Sequence, residues 1–238
     1  VSYALWLSVL VLILLPLAGA ALLCMSSRLL ERLLRALVAF ASGAMLATAL
    51  LKLLPESNAH AYALAGVMVL FLMEGLISWH HCHDGTCEVH SFSYMMLVAQ
   101  SLHSFIHGAV LAASYAVSFE LGALATLAIL LHQIAQEMSN LGVLVYGGFS
   151  KVRALGYLLL TSCLALPGAA AALLAPPEAL PPVLGFAAGA LIYIAVSDLM
   201  PELRGERNPG GILRVAMLML LGIALVQALG MFFKHPHP

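Results

Sequence analysis

Long apolar runs alternate with short polar breaks along the whole chain, and the runs are long enough to cross a bilayer. A transmembrane helix needs about 20 consecutive apolar residues. Segments of that kind lie at 3–25, 36–55, 61–79, 92–118, 122–146, 153–175, 180–199 and 211–233. The breaks carry charge, Pro or Gly, as in SSRLLER, PESNAH, HHCHDGTCEVH, GGFSKVR, APPEALPP and RGERNPGG. The tightest is FELG, around Glu120, which makes spans 4 and 5 antiparallel neighbours. The pattern predicts an all-α membrane protein with eight transmembrane helices, forming one domain over residues 1–238.

Composition agrees. The chain is 63% hydrophobic and 9% charged, with a mean hydropathy of +1.02. A soluble domain carries about a quarter charged residues, so this chain cannot cover itself with polar surface. A net charge of −1 argues against nucleic acid as a partner. The run from Val1 to about Met25 lacks the basic front end of a signal peptide and reads as a span.

The basic residues predict orientation. Arg28, Arg32 and Arg35 lie between spans 1 and 2, Lys151 and Arg153 between 5 and 6, and Arg204, Arg207 and Arg214 around the 7–8 break. Lys and Arg concentrate in cytoplasmic loops, which puts odd-numbered loops inside and both termini outside. Lys52, at the end of span 2, is expected to snorkel outward along its helix.

An internal repeat is visible. Phe40 to Glu56, FASGAMLATALLKLLPE, aligns without gaps to Phe186 to Glu202, FAAGALIYIAVSDLMPE. By the topology above these spans run in opposite directions. This predicts an inverted repeat, spans 1–3 against 6–8 around a central span 4–span 5 pair, as in secondary transporters.

Candidate chemistry emerges when polar residues are placed by depth. Ionisable side chains inside a membrane are costly and mark function by default. His103 and His107 flank the middle of span 4, four residues apart on one face. His132 and Gln136 repeat that spacing at the middle of span 5. Neutral imidazole is a common ligand for divalent transition metals. These four residues form a candidate metal site, with Met45 of span 2 at similar depth. Ser104, Gln133 and Glu137 are candidates for support or for a second metal. Asp198, opposite Lys52 in the repeat, and Glu74, near the inner end of span 3, are candidates for a release path.

The break between spans 3 and 4 is dense in ligand types: His80, His81, Cys82, His83, Cys87 and His90. Its spacing fits no closed zinc-finger pattern, and weak, exchangeable metal capture in the cytoplasm is expected. Cys24 and Cys163 lie in apolar runs and read as small hydrophobes.

At these residues the chain resembles the ZIP (Zrt/Irt-like) divalent metal transporters. HSFIHG resembles their span 4 motif, HQIAQEMSN their span 5 motif, LKLLPE their span 2 ending, and FAAGALIYIAVSDLMPEL their span 7. The resemblance implies a metal site on His103, His107, His132, Gln136 and Met45. It also implies two bundles, spans 1, 4, 5 and 6 against 2, 3, 7 and 8, that move against each other. Some positions depart from the motifs. His107 stands at a commonly acidic position, Ser104 at an Asn, Ile106 and Ala135 at prolines, and Asn140 at another acidic position. Leu158 of span 6 stands near a common Asn. With fewer carboxylates, the site favours zinc or another borderline metal over manganese or iron(II).

The expected function is therefore transport of zinc, or a similar divalent metal, into the cytoplasm by alternating access. No enzyme activity or organic cofactor is expected, and the expected partners are the metal ion, the lipid bilayer and a candidate homodimer. Two other classes stand beside it. A membrane-embedded zinc hydrolase would use Glu137 to activate water, though no span offers H-E-x-x-H. A non-transporting metal sensor would bind without flux.

Overall fold

The computed structural model describes residues 2–22, 27–79, 89–203 and 208–232. The regular structure among them is helical: α1 (Ser2–Leu22), α2 (Ser27–Thr48), α3 (His60–Trp79), α4 (Val89–Val117), α5 (Phe119–Tyr146), α6 (Lys151–Ser162), α7 (Ala165–Leu174), α8 (Leu180–Tyr193) and α9 (Pro209–Phe232). Among the described residues seven helical stretches are long and apolar enough to cross a membrane, and α3 adds the apolar run His60–Gly75. The chain is a multi-pass integral membrane protein.

Local chemistry explains the breaks. Only Ser118 separates α4 from α5. Its backbone is extended (φ −158°, ψ 158°), and its Oγ accepts the Leu121 N–H at 3.0 Å, capping α5. Glu120, in the first turn of α5, complements the positive end of the helix dipole. The sixth span is two helices, α6 and α7, where the apolar pattern suggested one. Pro167 has no N–H for the Cys163 carbonyl four residues back, and Leu166 N takes that carbonyl at 3.0 Å in a tighter turn.

The aligned segments share an irregularity. α2 runs into a π-helical stretch, Ala49–Leu53, and a last α-turn, Leu54–Ser57. α8 runs into Ile194–Leu199 and Met200–Leu203 in the same way. In the ungapped alignment Leu53 falls on Leu199. Each π stretch lies just before a proline, Pro55 or Pro201, which cannot sustain the i→i−4 ladder.

Two helix crossings also correspond. A Cβ on Gly43 of α2 would strike the Met219 carbonyl of α9, and one on Gly222 of α9 would strike the Phe40 carbonyl of α2. A Cβ on Gly189 of α8 would likewise strike the Ala63 carbonyl of α3, and one on Gly66 of α3 the Phe186 carbonyl of α8. Gly43 and Phe40 are the alignment partners of Gly189 and Phe186. Small residues let backbones touch where lipid gives no hydrophobic drive between helices.

The densest contacts join α4 with α7, α5 and α6, and α1 with α5; a second set joins α2 with α9 and α3 with α8. The two groups meet chiefly where α2 lies on α5. A hydroxyl cluster pins α1 to the α4–α5 hairpin: Ser8 Oγ lies 3.0 Å from Tyr115 Oη, and Thr126 Oγ1 lies 3.1 Å from Ser8 Oγ. Lys52 is not splayed outward. Its ammonium pairs with Glu120 of α5 at 3.2 Å.

Candidate metal centre

α4 and α5 carry their imidazoles inward, and the hairpin brings them together. The ring centroids of His103, His107 and His132 are 4.2 Å (103–107), 5.7 Å (103–132) and 5.0 Å (107–132) apart. One ring nitrogen from each lies within 4.8 Å of the others. All three side chains are buried, His132 and His107 almost completely.

Hydrogen bonding orients one ring. His132 Nδ1 lies 3.1 Å from the Ala128 carbonyl, one turn back on α5. A carbonyl only accepts, so in the neutral ring Nδ1 carries the hydrogen and Nε2 keeps its lone pair. That Nε2 points to His103 Nε2, 3.5 Å away. Two nitrogens on one tetrahedral zinc, each at about 2.0–2.1 Å, stand roughly 3.3 Å apart. The donor spacing therefore suits a zinc-sized ion. His107 offers two further nitrogens that have no hydrogen-bond partner among the described residues.

Other expected residues divide between two sides of the cluster. Ser104, His107 and Gln133 line a small recess with Ser162 of α6. Gln136 is half-buried and lines a separate cavity of about 230 Å³ with His103, Gln100, Asn140, Glu74 and Tyr193. Tyr193 Oη donates to Glu74 Oε2 at that cavity. Met45 is fully buried on α2 in the main apolar core. His80, His81, Cys82, His83 and Cys87 lie outside the described residues, and so do the side chains of His90 and Asp198.

A polar chain runs beside the histidines. Glu137 Oε1 accepts from Gln100 Nε2 at 2.8 Å and from Gln133 Nε2 at 2.7 Å. Asn140 Nδ2 donates to Gln100 Oε1 at 3.0 Å. All four side chains are buried. Two acceptors of this polar chain, Glu137 Oε2 and Gln133 Oε1, are buried with no hydrogen-bond partner among the described residues. Sequence reasoning had missed Gln100 and Ser162. Gln100 could have been found, since it precedes His103 and His107 on the same helical stripe. Ser162 had no such signal, because a lone Ser at a helix end is unremarkable.

The helical hairpin gathers three imidazoles between apolar helices as a candidate metal-binding cluster. Comparison with known proteins gives the family. The profile of the ZIP zinc transporters matches residues 78–230. Zinc transporter ZIP13 of Pongo abelii is 30% identical over 224 residues, covering 84% of this chain and 67% of its own length. The ZIP13 homolog of Drosophila melanogaster is 35% identical over 148 residues, 60% of this chain and 42% of its own. Zinc transporter SLC39A7 of Rattus norvegicus is 35% identical over 143 residues, 56% of this chain and 31% of its own. The chain belongs to the ZIP zinc transporter family, whose members are transporters rather than enzymes. It spans about two thirds of the first relative and under half of the other two.

Proposed function

We propose that this protein carries zinc, or a similar divalent transition metal, into the cytoplasm by alternating access. The observation that carries the reading is the His103–His107–His132 cluster inside a membrane hairpin. Gln136 and Met45 complete the proposed metal site, with Ser104, Gln133 and Glu137 supporting it or holding a second ion. Names of relatives as zinc transporters favour zinc as cargo. Imidazole donors are consistent with that choice.

Orientation follows the basic residues, with both termini and the Lys52 end of α2 outside. Release would then run inward through the cavity of Glu74 and Gln136, toward Asp198. The 80–90 loop would capture metal on the cytoplasmic side. The two helix groups are the proposed moving bodies, in one domain over residues 1–238. An inverted repeat relates α1–α3 to α6–α9 in this reading. Supporting it, the α2–α9 glycine crossing corresponds to the α8–α3 crossing, and the π stretches correspond. A homodimer is the proposed assembly, to be checked by light scattering in detergent.

The test is zinc uptake by proteoliposomes, paired with anomalous diffraction after zinc soaking. Uptake, with density between α4 and α5 at His103 and His132, is expected. Binding without flux would leave a sensor, and density confined to the 80–90 loop would remove the proposed site.

A further inference from the structure

One ion pair stands apart from the histidine cluster and joins the two helix groups. Lys52 lies in the π stretch of α2, and Glu120 in the first turn of α5. Their charged atoms are 3.2 Å apart, with side-chain exposures of 17% and 24%. That exposure is low enough that water screens the pair less than it screens a surface pair. The pair also has a prepared seat. A Cβ on Gly230 of α9 would overlap the Lys52 ammonium and lie 3.2 Å from Glu120 Oε1. Three helices from the two groups therefore converge on it.

The opposite end of the same boundary is built differently. There the cavity of about 230 Å³ separates α3 and α8 from α4 and α5 and reaches His103. The outer end also holds a cavity of about 260 Å³, between Ala113 and Ala116 of α4 and Leu180 and Val183 of α8. His103 lines only the inner one, so what distinguishes the outer end is the tie by charge. We propose that Lys52–Glu120 is a latch that closes the outer end and must break before that end can open. This rests on the transport reading above, which supplies the outer and inner labels. The latch acts by biasing a two-state equilibrium. It contributes to the inward-facing arrangement alone, so its removal shifts the population outward.

The test uses full-length protein in nanodiscs without zinc. Cys24, Cys82, Cys87 and Cys163 are replaced by Ser, and one reporter is added at a time. Ala49→Cys reports the latched end, since Ala49 is fully buried on α2. Ala99→Cys reports the cavity, which Ala99 lines. An impermeant maleimide is the probe. Lys52→Met should raise labelling at Ala49→Cys severalfold and lower it at Ala99→Cys. The reversed pair, Lys52→Glu with Glu120→Lys, should restore both rates. If Lys52→Met does not fold, Glu120→Gln carries the test, because it keeps the shape and removes the charge. Unchanged labelling at both reporters, or a reversed pair that behaves like the single variant, overturns the latch. Zinc uptake by the unmodified protein is measured separately. Uptake with unchanged labelling sinks the latch alone, and altered labelling without uptake sinks the transport reading alone.

Discussion

His132 Nε2 faces His103 Nε2 across 3.5 Å, with the His132 ring held from behind by the Ala128 carbonyl. The two residues belong to different helices, so the spacing is set by the α4–α5 hairpin and not by helical periodicity. If both nitrogens bind one ion, losing either should be costly. His103→Ala and His132→Ala should each weaken zinc binding by more than the roughly 10–100-fold expected for a supporting residue. Titration calorimetry on folded, purified protein checks this, and near-parental affinity in either variant would remove the paired-ligand reading.

His107 occupies a position that is commonly acidic in the motifs the chain resembles. His107→Glu restores a hard, charged donor. It should raise affinity for manganese(II) relative to zinc, because carboxylate suits harder ions than imidazole does. Competition binding of the two metals measures the ratio, and an unchanged ratio would show that His107 does not contact the ion.

Metal binding by imidazole needs the unprotonated ring. Protons compete with the ion for the same ring nitrogens, so zinc affinity should fall on acidification. A zinc-binding profile from acid to neutral pH tests it. A flat profile would count against ligation by the histidines.

Gln100 gives its amide to Glu137 and takes one from Asn140. Gln100→Leu would leave the buried Asn140 Nδ2 without its acceptor and Glu137 with one amide donor, Gln133, instead of two. The expected loss is about 1–3 kcal/mol of stability. Thermal unfolding in detergent should show a lowered Tm, with Gln100→Glu no better, since it places a second carboxyl against Glu137.

The α8–α3 crossing leaves no room at Gly189, where any side chain meets the Ala63 carbonyl. Gly189→Ala should destabilise by about 1–3 kcal/mol through overpacking, and Gly142→Ala, in open space on α5, should not. Comparing their Tm values separates backbone contact from a general intolerance of glycine replacement.

Much of the molecule was legible because bilayer physics is repetitive. Apolar runs of spanning length, broken by Pro, Gly and charge, outlined the helices. The i,i+4 spacing put His103 with His107 and His132 with Gln136. Other features depended on partners remote in sequence. Lys52 looked like a residue reaching for the membrane surface, yet it finds Glu120 on another helix. Gln100 did not stand out in the sequence, yet it bridges Glu137 and Asn140. The sixth span looked continuous, and Pro167 breaks it.

Sequence alone therefore determined which segments enter the membrane, which faces carry imidazole and which stretches repeat. Those properties follow from local composition and from the 3.6-residue period. Tertiary structure alone decided which nitrogens face each other, which carboxylate meets Lys52 and where a cavity lies beside His103. Such distances depend on how helices cross, and crossings are set by close backbone contact at residues such as Gly43 and Gly189, whose role appears only once both helices are in place.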